Sequence, residues 1–355
     1  MRLSDAYNAK AIALTYEQSA SNKIPFLGAG FFPAKKKAGL DLKWIKTSKG
    51  LPVTLMPSAF DTRSTIRSRE GIKIQETEMA YFKESMLLKE ADRQEILRVQ
   101  DSSDPYAQDV IERVYNDAET LIDGANVVPE RMIWQLLTPT DGHPAISISA
   151  DGATYAYNYD PDGSYASNNF TANSSTAMWS DTDHSDPIGD IQTACDRVEN
   201  LTGSRPVYAV VSRATMNYLK QNKNVKSAIL AQNATANIFM NDAKVKEIFL
   251  TEVGINIIVY TKQFKAEDGT ATKFLADGFC VLLPDGAVGN TYYGTTPDEA
   301  DLVGNPAFDT VIVNTGVAVT ITDTSDPVNK KTTVSEIVLP SFERMDETYV
   351  IYAYH

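Results

Sequence analysis

From Asp104 onward, apolar residues recur at helical spacing: Val110, Ile111, Val114, Tyr115, Ala118, Leu121 and Ile122 fall on one face of a 3.6-residue period. Asp104 is placed to cap that helix, and Pro105 to occupy its first turn, where the missing N–H has no intrahelical partner to lose. Gly124 and Pro129 are expected to interrupt it before Met132, Ile133, Trp134, Leu136 and Leu137 continue a second amphipathic stretch. An element this long with one apolar face needs an apolar partner of matching length, and a sheet provides one. The expectation is a long helix lying as a spine against a sheet.

The flanking sequence supplies the strands. Residues 51–98 are β-prone and charged: Val53-Thr54-Leu55-Met56-Pro57 and Tyr81-Phe82-Lys83-Glu84-Ser85-Met86-Leu87-Leu88 flank a polar tip at Arg69-Glu70-Gly71, with Arg63, Arg67 and Lys73 nearby. This predicts a long hairpin that leaves the body; the blander reading is a solvated surface hairpin, since charge runs usually face water. Residues 1–50 hold Ile24-Pro25-Phe26-Leu27-Gly28 and Phe31-Phe32-Pro33, followed by Lys35, Lys36 and Lys37. We read them as an extended arm whose aromatics need another surface to cover them, against the alternative of an ordinary N-terminal lobe.

Alternation over Ala145–Ser149, a turn at Asp151-Gly152 and alternation over Ala153–Tyr157 predict a β-hairpin. Residues 161–186, rich in Ser, Asn, Thr and Asp, read as a loop. Between 187 and 300, helical runs (Ile188 to Leu201, Ala214 to Leu219, 243–252) alternate with strand-like runs (Pro206–Val211, Ile255–Tyr260, Phe279–Leu283), an α/β pattern. The tail returns to β at Ala318–Thr322, Thr333–Val338 and Tyr349–Tyr352.

Composition narrows the function. At 355 residues, one large composite domain or two to three subdomains are expected, and 43% hydrophobic with 22% charged residues is ordinary for a folded globular chain. A net charge of −13 opposes a role that depends on gripping phosphates over the whole surface. Cys195 and Cys280 lie far apart without a CxxC partner, which points to buried thiols in place of a disulfide framework or a zinc site. The start MRLSDAYNAKAIALTYEQ has neither the apolar run of a secretory signal nor that of a membrane span, so the protein is expected to stay in the cytoplasm where it is made.

The residues that carry chemistry do not converge. His143, His184 and His355 show no HxxxH or HExxH spacing. Asp181-Thr182-Asp183-His184-Ser185-Asp186 is dense in hard ligands but lacks the central Gly and distant Glu of an EF-hand loop, so a solvated loop is preferred to a metal site. Gly28-Ala29-Gly30 lacks the third glycine of a dinucleotide fingerprint and runs into Phe31-Phe32-Pro33. There is no GxSxG elbow, and the 17 tyrosines are not interleaved with basic residues as a nucleic-acid stacking surface would require. Neither a cofactor nor a metal is expected.

Several segments, in order along one chain, resemble the major capsid protein E family of tailed phages, the lambda-type coat proteins with the HK97-like fold. They are Phe31-Phe32-Pro33 with the Lys run, Gly50-Leu51-Pro52-Val53 leading into Ala59-Phe60-Asp61, Ile66–Gly71, Arg131–Leu137, Trp179 followed by Asp186–Ile191, Pro284-Asp285-Gly286 with Gly289–Gly294, and Leu339–Phe342. Each alone is weak; their shared order makes the case. The resemblance implies an α+β chain with an N-terminal arm (1–50), an extended E-loop hairpin (51–98), a peripheral domain with a long spine helix and a β-hairpin (99–160), an axial domain (161–305) and a return to the peripheral domain (306–355).

It also implies a structural, non-enzymatic head protein that assembles with itself as hexamers and pentamers of an icosahedral shell, made in the bacterial host cytoplasm and ending in the virion. Phe31, Phe32, Lys35, Lys36, Arg63, Arg67, Arg69, Glu70 and Lys73 become the candidates for contact between subunits. Because the chain starts almost directly with the arm and lacks a long charged helical extension, a separate scaffolding protein is expected. A portal protein, a possible decoration protein and weak non-specific contact with packaged double-stranded DNA complete the expected partners; no membrane is among them. The alternatives are an encapsulin-like nanocompartment shell, which shares the fold, and a cytosolic α/β enzyme built on 187–300, which would need a polar constellation at its strand ends.

Overall fold

The structure is a computed structural model that describes residues 24–45, 74–91, 94, 106–150, 153–230, 240–325 and 328–354. The helix start at Asp104-Pro105, the Val53–Pro57 run, the Arg69-Glu70-Gly71 tip and the Asp151-Gly152 turn lie outside the described residues. The N-terminal half contains α1 (Gly28–Phe31), β1 (Ala34–Lys36), β2 (Asp41–Ile45), β3 (Ile74–Glu78), β4 (Ala80–Leu88), α2 (Tyr106–Leu137) and the hairpin β5 (Ala145–Ala150) with β6 (Ala153–Asn158). Then come α3 (Ser164–Asn168), β7 (Phe170–Ala172), α4 (Pro187–Thr202), β8 (Tyr208–Val211), α5 (Arg213–Gln221), α6 (Lys223–Leu230), α7 (Asp242–Glu252) and β9 (Asn256–Val259). The remainder is β10 (Gln263–Lys265), β11 (Ala271–Lys273), β12 (Phe279–Leu283), β13 (Asn290–Tyr293), α8 (Pro297–Leu302), β14 (Asp309–Val313), β15 (Val317–Ser325), β16 (Val328–Ser341) and β17 (Tyr349–Tyr352).

The long helix is continuous, and the expected interruption at Gly124 and Pro129 does not occur. A proline inside a helix removes one hydrogen bond and crowds the preceding turn, at a cost of about 3 kcal/mol. Here apolar side chains are buried on both sides of it: Leu121, Ile122 and Ala125 before, and Met132, Ile133, Trp134, Leu136 and Leu137 after. Each fully buried side chain of this size contributes roughly 1.5–3 kcal/mol. Packing against the sheet thus outweighs the local preference to break.

The sheet beneath α2 is six-stranded, in the order β1-β13-β16-β15-β14 with β4 also on β16. Strand β16 is its centre, paired antiparallel with β15 (Ala318 opposite Ser335), β4 (Val338 opposite Ala80) and β13 (Tyr292 opposite Leu339). A second sheet, β7-β17-β12-β8-β9, is mixed: β8 pairs parallel with β9 and β17 parallel with β7, while β12 is antiparallel to both β8 and β17. All five residues of β12 are buried, which explains its uninterrupted apolar sequence. Trp179, Ile191, Cys195 and Val198 pack on one side of this sheet with Met216, Leu219, Val245 and Phe249.

Two segments cross between the sheets in ways the sequence pattern did not indicate. Strand β13 precedes residue 305 yet belongs with β16, and of the last fifty residues only β14, β15 and β16 stay in that sheet. Strand β17 joins the other sheet instead, where Tyr349, Val350 and Ile351 are buried. The crossing requires close backbone approach at Gly289, where a Cβ would lie 1.9 Å from the Ser341 carbonyl oxygen and 2.8 Å from the Phe32 ring. Gly289→Ala is expected to lower stability by about 1–3 kcal/mol, read from the shift in the chemical denaturation midpoint.

Candidate functional site

The sequence points to two places of interest: the N-terminal segment with its aromatics and lysines, and the charged hairpin. The structure alters the first. Phe31 and Phe32 are 8% and 1% exposed, so both are covered by their own chain and neither awaits another surface. Phe32 packs on Phe342 (ring centroids 5.8 Å apart) and Phe31 meets Tyr208 edge-on at 5.9 Å. The physical reason is the turn α1, closed by Phe32 N–H donating to the Gly28 carbonyl at 2.9 Å, which folds both rings inward. The chain then leaves as β1, parallel to β13, with Ala34 opposite Thr291 and Lys36 opposite Tyr293.

What holds α1 is a buried carboxylate on the long helix. One oxygen of Glu130, Oε1, accepts three hydrogen bonds: from the Gly28 backbone N–H at 2.9 Å, Trp134 Nε1 at 2.7 Å and the Tyr260 hydroxyl at 2.7 Å. Glu130 is 2% exposed, and Trp134 stacks on Tyr260 with centroids 5.0 Å apart. Burial, and then the facing Glu130 carboxylate, hold the Tyr260 phenol well above its ordinary range, so it remains a donor. A Cβ on Gly28 would meet Glu130 Oε2 at 2.6 Å, so only glycine lets the backbone come this close.

A second clasp lies one turn back. Lys262 Nζ donates to the Ile24 carbonyl at 2.5 Å and sits 3.7 Å above the centre of the Phe26 ring, which itself packs edge-on against Phe274. Burial pulls the Lys262 ammonium down, while the Glu130 and Asp123 carboxylates oppose that shift. Residues 24–32 are therefore a seated element. The sequence signal that could have located the seat was Glu130 itself, a charged residue placed within the apolar run of the helix.

Of the lysines, Lys36 is used inside the chain: its Nζ donates to the Gly294 carbonyl at 3.0 Å and pairs with Glu299 of α8. Lys35 is exposed. Arg63, Arg67, Arg69, Glu70 and Lys73 lie outside the described residues. The described strands beside that segment show where β2, β3 and β4 pair, while Val53–Pro57, the expected partner of 81–88, lies outside the described residues. Strand β3 pairs antiparallel with β2, ending at Ile45 opposite Ile74, while β4 is taken up by β16 over Ala80–Leu88. The chain between residues 45 and 74 thus departs from and returns to one pair of neighbouring backbone positions.

Elsewhere, the candidate chemical groups are engaged in structure. Asp181 Oδ1 accepts from the backbone N–H groups of Asp183 and His184, each at 3.2 Å, and Asp186 caps α4 by accepting from Gly189 at 3.2 Å. At the end of β8, Ser212 caps α5 by accepting from the Thr215 N–H at 3.2 Å. Cys195 and Cys280 are buried, as expected, and burial raises both thiols, Cys195 to about 11. No cluster of three or more metal-ligating side chains occurs among the described residues.

Comparison with known proteins places this geometry. A family model described as phage major capsid protein E matches residues 13–350. No curated protein shows significant similarity to the chain. Among solved structures, the chain is similar to a putative prophage capsid protein from E. coli CFT073, with 16% identity, a TM-score of 0.57 and coverage of 98% of this chain and 99% of that one. It is similar to a phage-related protein from Bordetella bronchiseptica RB50, with 15% identity, a TM-score of 0.56 and coverage of 98% and 97%. The capsid protein of cyanophage A-1(L) follows at 13% identity, a TM-score of 0.50 and coverage of 93% and 92%. At these identities the likeness is one of fold.

Glu130→Ala would leave three buried donors without an acceptor, at about 1–3 kcal/mol each, and is expected to destabilise the chain by about 3 kcal/mol or more in urea denaturation. Lys262→Met keeps the aliphatic stem and is expected to cost only about 1–2 kcal/mol in the same measurement.

Proposed function

The chain belongs to the phage major capsid protein E family, and from that premise we propose that it is the shell-forming subunit of a tailed-phage or prophage head, arranged as hexamers and pentamers around double-stranded DNA. The observation that carries this reading is the pairing of Ile45 with Ile74, which brings together the two ends of a sequence segment that holds Arg63, Arg67, Arg69, Glu70 and Lys73. A segment with so many charged residues fits the reading that its complement lies on neighbouring subunits. Individual exposed ion pairs contribute only about 0–1 kcal/mol, but closed symmetry repeats each of them many times over.

On this reading, residues 1–50 form the arm and 51–98 the E-loop. Residues 99–160 with β14 to β16 form the peripheral domain around α2. Residues 161–305 form the axial domain, to which β13 does not contribute and β17 does. The contact candidates reduce to Lys35 and the charged residues of the E-loop, since Phe31, Phe32 and Lys36 are satisfied within the subunit. The net charge of −13 suits a container whose wall must not hold its polyanionic contents tightly, which fits weak and non-specific contact with DNA. A separate scaffolding protein, a portal protein and, where present, a decoration protein are the further partners in this scheme, and assembly takes place in the host cytoplasm.

Negative-stain electron microscopy of the purified chain, with and without its candidate scaffolding partner, tests the proposal. Closed shells or uniform ring-like capsomers are expected; a persistent small monomer under every condition would overturn it. Arg67→Glu combined with Arg69→Glu is expected to reduce the yield of shells at least tenfold while leaving the circular dichroism spectrum and thermal midpoint of the free subunit unchanged. That contrast separates a contact between subunits from a contribution to the fold.

A further inference from the structure

The long helix lies on the central strand, and between them is a carboxyl with nothing to bind. Glu336, on β16, is 1% exposed, and neither of its carboxylate oxygens has a hydrogen-bond partner. Its neighbours two residues away on the same strand face, Val334 and Val338, are apolar and buried, and Val334 packs with Leu121, Ile122 and Ala125 of α2. Glu336 also borders a groove of about 730 Å3 walled by Gly124, Ala125 and Val128 of α2, Phe82 of β4 and Phe264 of β10.

The charged groups around this position do not neutralise it. From β13, the Tyr293 phenol is the group that interacts with it electrostatically. From β4, Lys83 is held by Asp298 at 3.0 Å, on the opposite face of β16, where Ser335 also donates to Asp298; Glu84 adds only further negative charge. From α2, Arg131 is paired with Glu267 of the β10–β11 turn at 2.5 Å, and Lys265 of β10 borders the groove without any hydrogen bond to Glu336. An ionised carboxylate here would be a buried charge without a donor, which costs several kcal/mol; a protonated one costs far less.

We propose that Glu336 is a proton-dependent latch: while neutral it lets the long helix seat on the central strand, and its ionisation loosens that seat along the groove. Burial without a donor pushes this carboxyl well above its ordinary value of 4.5, and burial raises the neighbouring Tyr293 phenol as well. A group raised in this way contributes its full stability below its unfolded value, and that contribution is lost progressively as pH rises towards its folded value. The latch therefore weakens on the alkaline side. It stands on the folded chain alone, independent of the shell reading, and is tested on the free subunit.

The test compares the full-length chain with Glu336→Gln, Glu336→Met and Tyr293→Phe between pH 5 and pH 10. Urea unfolding is measured at each pH, together with amide hydrogen exchange over 119–137 and 328–341 corrected for intrinsic rates. The unaltered chain is expected to lose up to tenfold in its folded-to-unfolded ratio per pH unit, with opening concentrated in those two segments. Both Glu336 variants should lack this part of the pH dependence, and Tyr293→Phe should retain it. Retention of the full slope in either Glu336 variant, its loss in Tyr293→Phe, or failure of both Glu336 variants to fold at pH 6 would overturn the proposal.

Discussion

The structure depends on one requirement: a helix of 32 residues must find apolar cover along its length. At 1.5 Å per residue the helix is about 48 Å long, about the full span of even the 14-residue strand β16. The chain answers with two packing zones. Leu121, Ile122 and Ala125 lie on the β14–β16 side with Val317, Val319 and Val334. Met132, Ile133, Trp134, Leu136 and Leu137 join a larger core that also takes in Val281, Leu283 and Val350 of the second sheet. The helix is thus the element through which the two sheets share one core, and the proline within it is tolerated because both zones pin it.

Polar groups mark the joints of this arrangement. Glu130 sits where the helix passes the N-terminal segment, and its three donors come from the segment, from the helix and from the strand end at Tyr260. Such a node is stabilising only when complete, since each unpaired donor would be left buried. Glu336 is the opposite case, a carboxyl enclosed by apolar neighbours with no donor supplied. The same helix therefore carries one acid whose Oε1 receives three donors and lies over another whose carboxyl receives none.

Local pattern revealed most of the elements but not how they are joined. The helical period at Leu121, Ile122 and Ala125, the alternation at Ile146 and Ile148, and the apolar run Phe279–Leu283 each announce their secondary structure because burial imposes a period on the residues themselves. In sequence Phe31 and Phe32 look as if they need a foreign surface because their cover, Tyr208 and Phe342, lies far along the chain and has no local signature. The destination of β17 was hidden for the same reason: Tyr349–Tyr352 has an apolar strand pattern that would suit either sheet. The helix runs through Pro129 because a propensity acts locally while the packing that overrides it is long-range. The resemblance in the order of short motifs carried the family, because shared order along a chain is information that no single segment contains.

The pairing of Ile45 with Ile74 has a consequence for how such a chain can vary. When both ends of a segment are fixed at one point, the free energy of closing it depends only weakly on its length, by about 0.6 kcal/mol for each doubling. Insertions and deletions between residues 45 and 74 therefore leave the folded body almost indifferent. The length of this segment can thus change without redesign of the described core, and a grafted sequence at this position would inherit a ready-made anchorage.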